Sequence, residues 1–123
     1  MRWSPDGKAL IVTADDDGRC PVFCIGIHSG EVSALTIDDY CYTDASVAPS
    51  GAVFALRSSY AAPPHPVRID PDCTVTELPC VERPMLPGSL TVVTANTADG
   101  TAVRSWLVLP RGAKRSAQTP LLL

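Results

Sequence analysis

Two stretches of this chain match each other at a fixed offset, and that repeat constrains the fold more than any single residue does. Trp3-Ser4-Pro5-Asp6-Gly7-Lys8-Ala9-Leu10 aligns with Val47-Ala48-Pro49-Ser50-Gly51-Ala52-Val53-Phe54, 44 residues later. Pro5 falls on Pro49, Gly7 on Gly51, Leu10 on Phe54 and Val12 on Leu56. Phe23 then falls on Val67 and Ile25 on Ile69. After one deleted residue the match resumes at an offset of 43, with Val32 on Val75 and Leu35 on Leu78.

A strand-rich period of about 40–45 residues, with a turn signal at a fixed place, is the pattern of a β-propeller blade. One blade cannot bury its own apolar face, and about three repeats are needed for a stable array. The sequence holds fewer than two. The repeat begins at Trp3, so the strand before its first turn is expected to be absent. Thr119-Pro120-Leu121-Leu122-Leu123 reads as a strand cut short, because domains usually end in polar, loosely held residues. The expectation is an internal piece of a larger protein.

Composition bounds the rest. A chain of 123 residues has room for one small domain or parts of two. Its 46% apolar content fits a globular chain and argues against disorder. Twelve Pro and eight Gly fit short strands joined by many turns. The net charge is −3 and no Lys/Arg cluster occurs, so nucleic acid is not an expected partner. No apolar run approaches the ~18 residues of a membrane span, so no membrane partner is expected either. Eight Arg to two Lys, with frequent Ala, Val, Thr and Asp, resembles GC-rich bacterial coding bias. Cys20, Cys24, Cys41, Cys73 and Cys80 are odd in number, which disfavours a secreted disulfide framework. Free thiols in a reducing, cytoplasmic setting are expected.

The strands follow from turn chemistry and apolar content. In the first unit, Lys8 to Ala14, Pro21 to Ile27 and Glu31 to Leu35 read as three strands. They are joined at Asp15-Asp16-Asp17-Gly18 and Ser29-Gly30. In the second, Thr43 to Val47, Ala52 to Arg57, Val67 to Ile69 and Thr74 to Leu78 read as four, with Ser58 to Pro66 a long Pro-rich connection. No stretch has helical periodicity. Pro79 to Gly88 reads as a linker. Ser89 to Asn96 and Thr101 to Leu109 then flank an Asp-Gly hairpin signal at Thr97-Ala98-Asp99-Gly100. Pro110 to Thr119 reads as a polar loop before a final strand.

These features together resemble the prolyl oligopeptidase family of serine peptidases, with its acylaminoacyl-peptidase and dipeptidyl-peptidase relatives. Trp3-Ser4-Pro5-Asp6-Gly7-Lys8 is similar to the blade turn of that family and of TolB-like propellers. Thr97-Ala98-Asp99-Gly100-Thr101-Ala102-Val103-Arg104-Ser105-Trp106-Leu107-Val108-Leu109-Pro110 is similar to the hairpin that begins the family's α/β-hydrolase domain. Pro120-Leu121-Leu122-Leu123 sits where the family runs toward its His-Gly-Gly-Pro loop. The second blade departs from the pattern, with Ser50 where the family usually has Asp and Cys73 where a turn Gly is expected.

The resemblance implies an all-β fragment. Residues 1–79 would be a partial β-propeller of about two blades, 1–36 and 42–79. Residues 80–89 would be a linker, and 90–123 the opening hairpin and first strand start of a truncated hydrolase domain. It implies a scaffold and substrate filter for short peptides, with a Ser nucleophile, His base and Asp orienter elsewhere in the parent enzyme. No Gly-x-Ser-x-Gly occurs in these residues, so no catalytic residue is carried over. No cofactor or metal is expected. Fewer than two blades leave open faces, so the isolated chain is expected to self-associate. The alternative is a non-enzymatic TolB-like or WD-repeat interaction module. A pure propeller would place another turn of the Ser-Pro-Asp-Gly kind near residues 93–95, and none is there.

Four constellations invite a sharper function, and each has a plainer explanation. Ser46, His28 and Asp44 compose a Ser-His-Asp set on paper, without an elbow turn or oxyanion site. His28 precedes the Ser29-Gly30 turn and is expected in a solvated loop. Cys20 and Cys24 share a face of a predicted strand, and His28 lies nearby in sequence. Residues i and i+4 of a strand are about 13 Å apart, too far for one ion, so small apolar filler is expected. Asp15, Asp16 and Asp17 lack the other ligands of a calcium loop and read as a solvated hairpin turn. Arg57-Ser58-Ser59-Tyr60 ends a strand at a loop that could meet substrate in an intact peptidase, with a structural loop as the default.

Overall fold

The computed structural model describes residues 1–82 and 87–113. The described residues form strands β1 (Arg2–Trp3), β2 (Ala9–Thr13), β3 (Val22–Gly26), β4 (Val32–Ala34), β5 (Cys41–Val47), β6 (Val53–Ser59), β7 (Ala62–Ile69), β8 (Val75–Glu77), β9 (Ser89–Asn96) and β10 (Ala102–Leu109), and no helix. The described residues are all-β, in three separate antiparallel sheets. Their strand orders are β1-β2-β3-β4, β5-β6-β7-β8 and β10-β9. It divides into two compact units between Pro84 and Met85. The polar loop expected to Thr119 and the final strand fall mostly at 114–123, outside the described residues.

The first two sheets are meanders, each strand pairing with the next. Their apolar positions alternate and one side is buried, as period-two patterning requires. Val53 and Ala55 on β6 pair with Ile69 and Val67 on β7, and all four are buried. They pack against Ile11 on β2 and Val22 on β3, with Tyr42 of β5 in the same cluster. Thr36 Oγ1 accepts from the Val22 N–H (3.0 Å), which otherwise would be a buried donor without a partner. The two sheets therefore share one core.

One turn design closes with glycine at three places and recurs at a fourth, where Cys73 donates to the Asp70 carbonyl and the Asp72 carboxylate accepts from the Thr74 amide. Gly7 donates to the Ser4 carbonyl, Gly51 to the Ala48 carbonyl and Gly100 to the Thr97 carbonyl. The Asp6 and Asp99 carboxylates accept from the Lys8 and Thr101 amides two residues on, and Ser50 Oγ does the same for Ala52. Ser50 thus replaces the usual Asp with a longer bond, 3.5 Å against 3.1 and 3.0 Å. The first three close with a glycine at positive φ and the fourth with Cys73.

Several expectations need correction. The first sheet has four strands, because Arg2 and Trp3 pair with Ile11 and Leu10. The strand expected to be absent is present as two residues. The expected connection from Ser58 to Pro66 is mostly strand: β6 reaches Ser59, β7 starts at Ala62, and Tyr60-Ala61 turns between them. Prolines are tolerated there because the ladder does not need their missing N–H groups. The Pro66 carbonyl accepts from Leu78 at the very end of the β8 pairing, and Pro64 falls within the β6–β7 register shift. Pro63 lies at a register shift between Arg57 and Ser59.

The repeat also breaks inside the first hairpin. Ala55 pairs with Val67, yet Ile11 pairs with Cys24 rather than with Phe23. A one-residue slip moves a whole strand to the other face. Val22 and Cys24 therefore face the second sheet, while Phe23 and Ile25 face away. They join Leu10, Val12, Trp3 and Val32 on an apolar outer face, where Trp3 is 59% and Val32 60% exposed.

Cys73 stands at φ 67°, the αL conformation that Gly30 holds at 68° in the matching turn of the first sheet. An L side chain there is strained by roughly 1–2 kcal/mol. Cys73→Gly should raise the urea midpoint at unchanged slope, worth ~0.5–1 kcal/mol after the entropy gained by the unfolded chain. A lower midpoint would show that the Cys73 side chain makes a compensating contact.

Candidate functional site

Among the described residues, a group of linked polar side chains lies at the end of the second sheet. The bulk of Tyr42 fills the core from β5, and it is fully buried. Its hydroxyl donates to Asp38 Oδ2 at 2.7 Å. Burial first, then the hydrogen bond to Asp38, pushes the phenol far above its ordinary value. Arg57, near the end of β6, sits beside both. Its side chain is 12% exposed, with Nη1 3.5 Å from Asp38 Oδ2 and Nη2 2.5 Å from Glu77 Oε1 on β8. The guanidinium also stacks 4.3 Å over the Tyr40 ring, a cation–π contact.

His65 completes the group from β7. It is 1% exposed. Nδ1 lies 3.1 Å from the Pro63 carbonyl, and Arg57 Nε lies 3.3 Å from Nε2. Arg57 Nε–H can only donate, so Nε2 is the acceptor and Nδ1 carries the proton. The Nε2 lone pair is therefore engaged and is not free to act as a base. Glu77 Oε1, 3.6 Å from Nε2, is held by Arg57 instead. Asp38 Oδ1 is buried without a hydrogen-bond partner. The arrangement is a charged staple across β6, β7, β8 and the segment before β5. It contains no nucleophile within reach of a free base.

The candidates read from sequence are scattered. His28 is exposed in the turn between β3 and β4, as expected. Ser46 and Asp44 lie on β5 of the other sheet, with Asp44 at φ 53° where the β5–β6 register shifts. No hydrogen bond joins any two of the three. Cys20 and Cys24 do not share a strand face, because β3 starts at Val22. Cys20 instead bridges to Cys41 in parallel pairing. No group of three or more metal-ligating side chains occurs among the described residues. Asp16 and Arg19 close the β2–β3 turn with a 2.7 Å ion pair, and Asp17 and Gly18 take positive φ. Arg57 belongs to the staple, whereas Tyr60 is 66% exposed at the tip of the hairpin.

The sequence reading missed His65. Its signal was present, since His65, Val67 and Ile69 alternate with Pro64, Pro66 and Arg68. The prolines masked it by arguing for a loop.

In the third sheet, Arg104 lies 5.0 Å over the Trp106 ring, two residues along β10 on the same face. Asp99 accepts from the Thr97 hydroxyl and from the Thr101 amide. The Thr97 hydroxyl first, then these amide bonds, holds its carboxyl at about 2, against an ordinary 3.8.

No family model matches the chain. Among curated proteins it is similar to dipeptidyl-peptidase 5 of Porphyromonas gingivalis, 23% identical over 128 residues. That alignment covers 100% of this chain and 19% of the peptidase. The similarity points to a peptidase-related origin. The chain spans about a fifth of the length of the curated relative it matches, and no helix among the described residues is long and apolar enough to cross a membrane.

Two outcomes test this geometry. Arg57→Met should cost about 2–4 kcal/mol, because it leaves Asp38 and Glu77 without their counter-charge and His65 Nε2 without its donor. Urea unfolding reads the loss, and a cost under ~0.5 kcal/mol would show that the staple is not a stabilising contact. The Asp99 carboxyl should titrate near 2 by NMR and rise toward 3.8 in Thr97→Ala. A depressed folded value means that the turn gains stability above about 3.8 and loses it as pH falls through about 2. An Asp99 value near 3.8 in the unsubstituted chain would contradict the turn geometry.

Proposed function

We propose that this chain is a scaffold section of a prolyl oligopeptidase-like serine peptidase. On this reading residues 1–79 are two consecutive blades of a β-propeller, and 90–123 open the α/β-hydrolase domain. The observation that carries it is a conjunction. Two four-stranded meanders follow each other and pack face to face, and the peptidase alignment runs through both and on through the β9–β10 hairpin. The section would support and filter access to a peptide-hydrolysing centre whose nucleophile elbow, acid and His come from the rest of the enzyme. On this reading residues 1–123 supply none of the catalytic groups.

One observation favours a second reading, a non-enzymatic propeller of TolB or WD-repeat type. The hairpin at Thr97–Thr101 repeats the hydrogen bonds of the blade turns, so β9 and β10 could be the first two strands of a third blade. The spacing argues against it, since Gly51 to Gly100 is 49 residues where Gly7 to Gly51 is 44.

The purified chain should neither cleave a chromogenic dipeptide substrate nor react with a fluorophosphonate probe, while the full-length gene product does both. Reading the gene past codon 123 should reveal His-Gly-Gly within ~10 residues and Gly-x-Ser-x-Gly within roughly 60–100 more. A probe-labelled serine in residues 1–123 would falsify the scaffold reading, and further 44-residue repeats downstream would favour the second one. The apolar outer face of the first sheet should make the isolated chain self-associate in sedimentation, and Trp3→Ser with Val32→Lys should reduce it. A monodisperse monomer of the unsubstituted chain would contradict this.

A further inference from the structure

The five cysteines are free thiols, and the function proposed above uses none of them. Two of them nevertheless meet. Cys20 precedes β3 in the first sheet, and Cys41 opens β5 in the second. The Cys20 N–H donates to the Tyr40 carbonyl (3.3 Å), and the Tyr42 N–H donates to the Cys20 carbonyl (2.9 Å). These two bonds straddle Cys41 and make Cys20 and Cys41 directly opposed partners in a parallel bridge.

Opposed residues of adjacent strands project side chains to the same face, with backbones about 4.8 Å apart. A disulfide needs a Cα separation of roughly 4.4–6.8 Å. Both cysteines are half-buried, so a small reagent can reach them. Each thiol also lies within the electrostatic reach of the other. Burial, then Asp15, then Cys41 itself push the Cys20 thiol up. The remaining cysteines have no such partner: Cys24 pairs with Ile11 and Ser33, Cys73 lies in the β7–β8 turn, and Cys80 follows β8.

We infer that Cys20 and Cys41 are a thiol–disulfide site that bonds the first sheet covalently to the second. The oxidant class is a low-molecular-weight disulfide such as oxidised glutathione. The Cys41 thiolate attacks one sulfur of that disulfide, forming a mixed disulfide and releasing one small thiolate. The Cys20 thiolate then attacks the Cys41 sulfur and releases the second. The two protons lost by the cysteines protonate the two released thiolates. Two protein thiols are oxidised and one small disulfide is reduced. Cys20 acts second because its raised pKa makes it the poorer first nucleophile. In a reducing compartment the bond would be transient, and in an oxidising one it would be structural.

The bond would close the chain from Cys20 to Cys41 and tie the start of β3 to β5. It would hold the shared core together at the edge where the two sheets touch through backbone. This inference does not depend on the peptidase reading.

The test equilibrates the full chain, at low concentration, with reduced and oxidised glutathione, and maps the products under non-reducing conditions. In the unsubstituted chain the dominant linked peptide should join Cys20 to Cys41. Mixed heavy and light chains should show the link to be within one molecule. In the Cys24→Ser, Cys73→Ser, Cys80→Ser variant, the effective concentration of one thiol for the other should be about a hundredfold higher in buffer than in concentrated urea. Cys20→Ser should trap the glutathione adduct on Cys41. Scrambled pairs in equal yield from the unsubstituted chain, or equal effective concentrations in buffer and urea, would overturn the proposal.

Discussion

The contact between the two four-stranded sheets is the constraint on which the first 82 residues depend. Neither sheet buries both of its faces alone. Val53, Ala55, Val67 and Ile69 of the second sheet have Ile11 and Val22 of the first as their cover. Tyr42 is the pivot, because its ring belongs to that core and its hydroxyl belongs to the Asp38–Arg57 staple. The backbone of the same residue also reaches the first sheet, through the Cys20 carbonyl. Burial, charge and main-chain pairing thus converge on one position. A buried phenol without a partner would cost about 1–3 kcal/mol, so Asp38 supports the core through the Tyr42 hydroxyl.

Two further properties follow from this packing. At the staple the Tyr42 hydroxyl, Arg57, His65 Nε2 and Glu77 Oε1 are held by one another or by Asp38 Oδ2, while Asp38 Oδ1 is left without a hydrogen-bond partner. The outward faces are the chemically unsatisfied part of the molecule. The first sheet presents Trp3, Leu10, Val12, Phe23, Ile25 and Val32 on one side, with Trp3 and Val32 exposed and the other four half-buried.

Much of this was legible in the sequence, and the failures have specific causes. Turn chemistry located the hairpins, because Asp-Gly and Ser-Gly pairs report positive φ directly. Cys73 was marked as standing in a glycine position, and the structure holds it at φ 67°. The Pro-rich stretch before Val67 misled, since proline usually argues against a strand. An edge that β8 leaves uncovered does not need proline's missing donor. The alignment of Phe23 with Val67 preserved apolar character but hid the register slip. Sequence similarity does not see which face a strand presents. The charged staple was beyond reach for another reason: Asp38, Arg57, His65 and Glu77 come from four separate segments, and only the meander's pairing brings them together.

Hydrogen exchange on Tyr42→Ala tests the central claim, that the two sheets form one cooperative unit through this contact. In the unsubstituted chain, amides of β2, β3, β6 and β7 should open together, with a common free energy. The substitution should lower protection in β2 and β3 of the first sheet by the same amount as in β6 and β7 of the second. Loss confined to the second sheet, with Ile11 and Cys24 amides unchanged, would contradict the account and show two sheets that fold independently.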